Sequence, residues 1–174
     1  FDKDICLAIS EHYLPTGLEN RIPKKSYSIA LSLADKLDTL VGFFGIELKP
    51  SSSKDPYALR RAAIGLIRLL LENGKEFKIR DLINYSTLLY HEQKFEFDTK
   101  AIQKDLIEFL NDRLKNYMKE KGIRQDIIEA AISSYNIDQI LKIYNKAVVL
   151  NKLISKEIGK DIISSYRRAS NILS

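Results

Sequence analysis

Residues 30–44 have the sequence ALSLADKLDTLVGFF, a mostly apolar stretch in which two carboxylates stand one helical turn apart. Because side chains three positions apart lie on the same face of an α-helix, Asp35 and Asp38 are expected to share a face. The sequence KDPYALRRAA follows at 54–63, with an aspartate and a proline at a predicted helix start and two arginines soon after. The two stretches predict an acidic helix beside a basic one.

The composition is that of a globular protein built from helices. The 174 residues are 45% hydrophobic and 29% charged, which excludes disordered and collagen-like classes. Seven glycines and four prolines are few, and leucine, isoleucine, lysine and glutamate recur at helical spacing. The fold class predicted from these features is all-α. The net charge of +5 is compatible with a polyanionic partner but is mild for a dedicated nucleic-acid binder.

Apolar periodicity predicts about eight helices in two packed groups. The predicted helices span 2–13, 24–46, 56–73, 79–91, 99–121, 125–133, 136–155 and 160–173. Asp55 is the expected N-cap of the third helix and Pro56 its first residue, and Asn136 is the expected cap of the seventh. In the second helix, Leu31 and Ala34 belong to the set spaced for burial.

Cysteine usage and hydropathy bear on location. The single cysteine, Cys6, cannot form an internal disulfide, which favours a reducing cytoplasm. No apolar run approaches the roughly 18 to 20 residues that a membrane-spanning helix requires. The sequence begins with Phe1 rather than methionine, so we expect a piece of a longer chain.

The paired carboxylates invite a catalytic or metal-binding interpretation. His12 on the preceding helix could converge with Asp35 and Asp38 on a divalent ion, but a catalytic metal usually takes three or more protein ligands of suitable type. The sequence contains no P-loop, no GxGxxG and no CxxC motif. We therefore predict no catalytic residue and no metal ligand. The structural alternative pairs one aspartate with Arg60 or Arg61.

Basic residues gather at two helix starts and along the linker between them. They are Lys24, Lys25, Lys49, Lys54, Arg60 and Arg61, and a second group surrounds a later helix end at Arg113, Lys115, Lys119, Lys121 and Arg124. Such groups can hold phosphates through charge and through helix N-terminal amides. The alternative is a solvated face with intramolecular ion pairs.

Five stretches together resemble one family. They are 11–15 (EHYLP), 30–44, 53–63 (SKDPYALRRAA), 109–114 (FLNDRL) and 167–173 (RRASNIL). In these stretches the sequence resembles the β subunit of bacterial heterotetrameric glycyl-tRNA synthetase, and the resemblance spans nearly the whole chain. It implies a degenerate HD-like helical domain at 1–92, incomplete at its N-terminus. A helical body at 93–174 would lead to an anticodon-binding domain.

The resemblance also implies a function. In this family the α subunit activates glycine with ATP and Mg²⁺, while the β subunit binds tRNA(Gly) and supports an α2β2 assembly in the cytoplasm. The implied tRNA-binding residues are Lys24, Lys25, Lys54, Arg60 and Arg61, and the implied vestigial HD-like positions are His12, Asp35 and Asp38. No cofactor is expected in this part of the subunit, which alone should not aminoacylate tRNA.

Two alternatives remain open at this point. The first is a metal-dependent phosphohydrolase related to HD domains, with His12 and Asp35 as ligands. The second is a purely structural helical module, in which the acidic and basic helices only stabilise each other.

Overall fold

Eight α-helices and no strand are found in residues 2–51, 53–133 and 138–173, the parts of the chain that this computed structural model describes. In chain order they are α1 Lys3–Glu11, α2 Ser26–Gly45, α3 Leu59–Glu72, α4 Ile79–Glu92, α5 Thr99–Glu120, α6 Gln125–Ser133, α7 Ile140–Ile154 and α8 Glu157–Leu173. The predicted all-α fold with about eight helices is confirmed. The expected cap Asn136 lies outside the described residues. Within those ranges no helix is both long and apolar enough to cross a lipid bilayer.

Local signals set most helix ends. The Asp98 carboxylate accepts hydrogen bonds from the backbone N–H groups of Lys100 and Ala101, and so caps α5 as expected for an aspartate at this position. Gly74 and Gly122 follow α3 and α5 with φ of 60° and 77°. This left-handed conformation costs glycine little, because it has no Cβ, and it lets the last carbonyls of each helix find backbone donors.

Helices α2 and α3 run antiparallel. At one end of the pair, the Lys24 ammonium donates to the backbone carbonyl of Glu72 at 3.2 Å. At the other end, the rings of Phe43 and Tyr57 stack with their centroids 4.3 Å apart. The two helices, with the residues just before each of them, carry Asp35, Asp38 and all five predicted tRNA-binding residues.

A continuous apolar core joins the central helices. Fully buried side chains include Leu40 of α2, Ile67 of α3 and Leu106 of α5, and the same cluster extends to Ala147 of α7. Burial of one such leucine or isoleucine stabilises the fold by about 1.5 to 3 kcal/mol. The core takes residues from both sides of position 92, while the division into domains at that position stays a prediction.

The buried face of α2 differs from the predicted one. Leu31 is 40% exposed and Ala34 is exposed, whereas Ser28, Ser32 and Lys36 are buried. The apolar pattern of α2 is nearly continuous, so periodicity alone does not fix its rotation. Contacts with α1, α3, α4 and α5 decide it, and the side toward α1 buries polar groups.

Candidate nucleic-acid interface

The linker between α2 and α3 is a structured loop. The prediction of Asp55 as the N-cap residue is wrong, because Ala58 holds that position, but the Asp55 carboxylate still accepts from the backbone N–H groups of Leu59 and Arg60 at 2.8 and 3.0 Å. The prediction of Pro56 as first helical residue is wrong: α3 begins at Leu59, after Ala58 in the left-handed conformation at φ 57°. The helix starts later because the chain first makes a turn from Asp55 to Ala58.

Three of the predicted phosphate-binding residues cluster at this loop. Lys54 and Arg61 are exposed, and Arg60 is half-buried with its guanidinium donating to the backbone carbonyl of Ser51. Because Arg60 is bonded to the linker, it also helps to hold the loop in place. Among the described residues, no carboxylate forms an ion pair with Lys54 or Arg61.

The other two predicted residues lie at the far end of the helix pair. Lys24 is bonded to the end of α3, and the Lys25 ammonium lies 3.8 Å from the Asp4 carboxylate. Thr39 and Arg61 line the same surface depression, and Lys25 precedes Thr39 by 14 positions, which corresponds to roughly 20 Å at the helical rise per residue. The structure therefore divides the five predicted residues into two separate basic groups.

Asp35 and Asp38 do not pair with the arginines. Neither carboxylate forms an ion pair with Arg60 or Arg61 in the described parts of the chain, so that part of the structural alternative is wrong. The two aspartates line different surface depressions on either side of Thr39. Each therefore has its own surroundings, although the two stand one turn apart.

The depression beside Asp38 is mainly apolar. It is lined by aromatic side chains that include Phe97 and Tyr90. The Tyr90 hydroxyl donates to the backbone carbonyl of Asp38 at 3.2 Å. Burial, reinforced by the nearby Asp38 carboxylate, raises the pKa of Tyr90 to about 12.

The depression beside Asp35 combines charge with exposed aromatic rings. We call it the tyrosine groove. It measures about 370 Å³ and is lined by Tyr13, Pro15, Thr16, Asp35, Lys36, Thr39, Tyr57, Ala58, Arg61 and Ala62. Its volume falls within the range of roughly 300 to 1,000 Å³ that is usual for small-molecule sites. Arg61, a predicted phosphate-binding residue, is one of its lining residues.

Lys36 is the buried cation behind this groove, and sequence reasoning missed it. Its ammonium donates to the carbonyls of His12 and Tyr13 at 3.3 and 3.1 Å and to the Ser32 hydroxyl at 3.1 Å. Burial lowers the pKa of Lys36, and the adjacent Asp35 carboxylate acts in the opposite direction. The only signal in the sequence is its position four residues after Ser32 and eight after Ser28.

A second buried cation, Arg68, contacts the loop at residues 12–20, which also contains the two carbonyls bound by Lys36. It is 5% exposed, donates to the carbonyls of Gly17 and Asn20, and forms an ion pair with Glu72 at 2.8 Å. Two helices thus fix the 12–20 loop through side-chain donors to its carbonyls. The shape of the tyrosine groove depends on both contacts.

His12 ends α1 as a local structural residue. Its Nδ1 lies 2.5 Å from the carbonyl oxygen of Ile9, and its ring packs on Tyr13 with centroids 3.9 Å apart. Across the ranges that the structure describes, no three histidine, cysteine or acidic residues lie close enough to hold a metal ion. The vestigial role of His12, Asp35 and Asp38 stays a prediction.

Several remaining basic residues are engaged within the fold. Lys49 bridges Glu47 and Asp105, both at 2.6 Å, and these hydrogen bonds raise its pKa. In the second basic group, Lys115 pairs with an aspartate, as does Arg124, and Lys121 lies over an aromatic ring. Lys54 and Arg61 are therefore more available to an external phosphate than these engaged side chains.

Comparisons with known proteins bear on this interface. The family model described as the glycyl-tRNA synthetase beta subunit matches residues 1–133. The chain is similar to the glycine-tRNA ligase beta subunits of Rhodospirillum centenum, at 39% identity over 98% of this chain, and of Paracoccus denitrificans, at 40% over 95%. The corresponding subunit of Clostridioides difficile is 36% identical over 95% of the chain.

These matches cover only part of each relative. The aligned regions are 23% of the first two proteins and 24% of the third. The chain therefore spans about a quarter of the length of the curated relatives it matches. The family model itself covers more than half of the chain, including α1 to α6, the linker and the tyrosine groove. The chain belongs to the glycyl-tRNA synthetase beta subunit family.

Proposed function

We propose that this chain contributes tRNA binding to a glycine-tRNA ligase, with Lys54, Arg60 and Arg61 neutralising phosphates of tRNA(Gly). The observation that carries the proposal is the group of basic side chains at the start of α3, where Lys54 and Arg61 are exposed and lack an acidic partner in the described chain. Ammonium and guanidinium groups of this kind bind phosphate and release counterions on doing so.

The five basic residues would contact separate parts of the RNA. Lys24 and Lys25 lie at the opposite end of the α2–α3 pair from Arg61. The roughly 20 Å between the two groups exceeds the spacing of adjacent phosphates, so one short segment of backbone cannot reach both. We assign the primary contact to Lys54, Arg60 and Arg61, and a secondary contact to Lys24 and Lys25.

The same proposal covers the rest of the ligase. An α subunit would bind ATP and Mg²⁺ and attach glycine to the tRNA, within an α2β2 assembly in the cytoplasm. The relatives supply the support, because their names describe them as beta subunits of glycine-tRNA ligase. Sedimentation of this chain mixed with the α subunit tests assembly, and the expected result is a complex larger than either component.

Charge reversal tests the phosphate contact. The variant Lys54→Glu/Arg61→Glu changes two exposed residues and leaves the Arg60 bond to the linker intact. We expect weaker tRNA(Gly) binding in fluorescence anisotropy and a salt dependence whose logarithmic slope is shallower by about 2, one unit per lost phosphate contact. The matched control, Lys100→Glu/Lys104→Glu, reverses two exposed charges on α5. Equal affinity and slope in both variants would contradict the assignment.

A further inference from the structure

The tyrosine groove presents two exposed aromatic rings that the fold holds in place. Tyr13 is 66% exposed, yet its backbone carbonyl is bound by the buried Lys36 ammonium. Tyr57 is 46% exposed, and its ring stacks on Phe43 at an interplanar angle of 27°. Proteins that bind single-stranded nucleic acids stack bases on exposed aromatic rings. Rings on a fixed backbone suit this role because little conformational entropy is lost on binding.

The charges of the groove are arranged unevenly. Arg61 lines the groove and is exposed, so a phosphate can reach its side chain. The Asp35 carboxylate lines the wall, and no donor in the described residues is hydrogen-bonded to its side chain. Lys36 does not offer a strong phosphate site here, since its ammonium already has three oxygen acceptors. The Asp35 carboxylate is therefore a better partner for a neutral group that carries N–H donors than for a phosphate.

A nucleobase with an exocyclic amino group supplies such donors. A carboxylate accepts hydrogen bonds from cytosine N4, and by the same chemistry from the amino groups of adenine and guanine. Uracil has no amino group, so it offers the carboxylate fewer donors and brings carbonyl oxygens close to a negative charge. The groove volume of about 370 Å³ lies in the size range of small-molecule sites, which suits a single nucleotide.

We infer that the tyrosine groove binds one unpaired, amino-bearing nucleotide of the RNA, whose base packs on Tyr13 and donates to Asp35 while its phosphate meets Arg61. This inference rests on the proposed tRNA binding and specifies what one part of that surface recognises. It assigns Asp35 to base recognition, in contrast to the vestigial metal position implied by the family resemblance.

The test uses the 174-residue chain and unstructured, fluorescently labelled RNA. One probe alternates cytosine and adenine and the other contains only uracil, each about 12 nucleotides long, within the span of roughly 4 to 16 that single-strand sites cover. We expect the amino-bearing probe to bind about 5-fold or more tightly than the uracil probe. That factor corresponds to the low end of the energy of one base contact.

Variants separate stacking from hydrogen bonding. Tyr13→Ala should weaken binding of the cytosine-adenine probe by roughly 5- to 150-fold, while Tyr13→Phe keeps the ring and should bind nearly as well as the unmodified chain. Asp35→Asn should reduce the preference between the two probes, because an amide both donates and accepts. The matched control is Tyr85→Ala on α4, which removes a tyrosine that is 68% exposed and lies outside the groove.

The outcomes distinguish this inference from the proposed function. Salt-dependent tRNA(Gly) binding with no probe preference, or with no effect of Tyr13→Ala, would overturn the nucleotide site and leave the phosphate contact standing. An equal loss in Tyr13→Ala and Tyr85→Ala would also overturn it. Failure of the unmodified chain to bind tRNA at any salt concentration would reject both.

Discussion

The Lys36 ammonium and the carbonyl oxygen of Tyr13 lie 3.1 Å apart, which joins the middle of α2 to the loop that follows α1. A second carbonyl, that of His12, is bound by the same ammonium at 3.3 Å. The contact buries a cation and lowers its pKa, yet it supplies donors to carbonyls that would otherwise lack them. It therefore fixes one wall of the tyrosine groove.

Removal of the Lys36 ammonium should destabilise the fold. Methionine has a similar length but no donor, so Lys36→Met removes the donor to the two carbonyls, while the Ser32 hydroxyl keeps its bond to the Leu14 carbonyl. We expect the free energy of unfolding in urea to fall by about 2 kcal/mol, with faster proteolysis of the 12–20 loop. The control Lys104→Met changes an exposed lysine of α5. The assignment is wrong if the two variants unfold alike.

Gly65 allows α3 to approach the same loop. A Cβ at this position would lie 2.6 Å from Lys36 Cε and 2.8 Å from the Pro15 carbonyl oxygen. Since the second atom belongs to the backbone, Gly65→Ala should lower the free energy of unfolding by roughly 1 to 3 kcal/mol. Gly17→Ala is the comparison, because its Cβ would meet only the tip of the Asn20 side chain, at 3.2 Å. Thermal unfolding of both variants measures whether Gly65→Ala is the more destabilising substitution and by how much.

The Asp55 carboxylate should stabilise the first turn of α3. Its carboxylate accepts from two backbone N–H groups at the start of α3, the turn that carries Arg60. Asp55→Ala should cost about 0.5 to 2 kcal/mol of unfolding free energy, whereas Asp55→Asn keeps an acceptor and should cost less. Chemical denaturation of the two variants measures this. Identical stabilities of the alanine variant and the unmodified chain would show that the cap contributes nothing.

Stability should fall steeply in alkali because of Tyr117. Burial, followed by the neighbouring Tyr144 and Glu72, raises the pKa of Tyr117 from 10.0 to about 12. Between these values the unfolded chain loses the phenol proton while the folded chain keeps it, so the stabilisation that is complete below pH 10 is lost as the pH approaches 12.

The phenylalanine variant isolates this effect. Between pH 10 and pH 12, the free energy of unfolding should fall by about 2 kcal/mol less in Tyr117→Phe than in the unmodified chain. Denaturant unfolding at stepped pH measures the difference. Tyr85→Phe serves as control because that side chain is 68% exposed. If the free energy of unfolding falls equally with pH in Tyr117→Phe and in the unmodified chain, the raised pKa of Tyr117 is wrong.

Helix ends were the most predictable part of the fold. Asp98 and Gly122 bracket α5, and aspartate and glycine are residue types favoured at these two ends, because a cap acts on backbone groups only a few residues away. Pro56 shows the limit of such signals: it has the preferred φ of a first helical residue, but the chain makes a turn before α3 begins. Whether the chain at Pro56 starts a helix or makes a turn depends on how the linker packs.

Part of the candidate site was also predictable. The basic residues at the start of α3 follow from the sequence, and the structure places Lys54 and Arg61 at the surface. The alternative in which an aspartate pairs with an arginine was wrong, since helix spacing gives a shared face but not the distance to a neighbouring helix. Tyr13 and Lys36 could not be assigned, because their roles depend on the loop after α1.

The sequence by itself determined the all-α class, most helix bounds, the family and the basic character of the α3 start, since these depend on periodicity, local capping and motif identity. Only the tertiary structure decided which face of α2 is buried and where its aspartates lie. A nearly continuous apolar helix has several faces that could pack, and neighbouring elements select one. For residues 30–44 the choice buries Lys36 and leaves Asp35 at the groove.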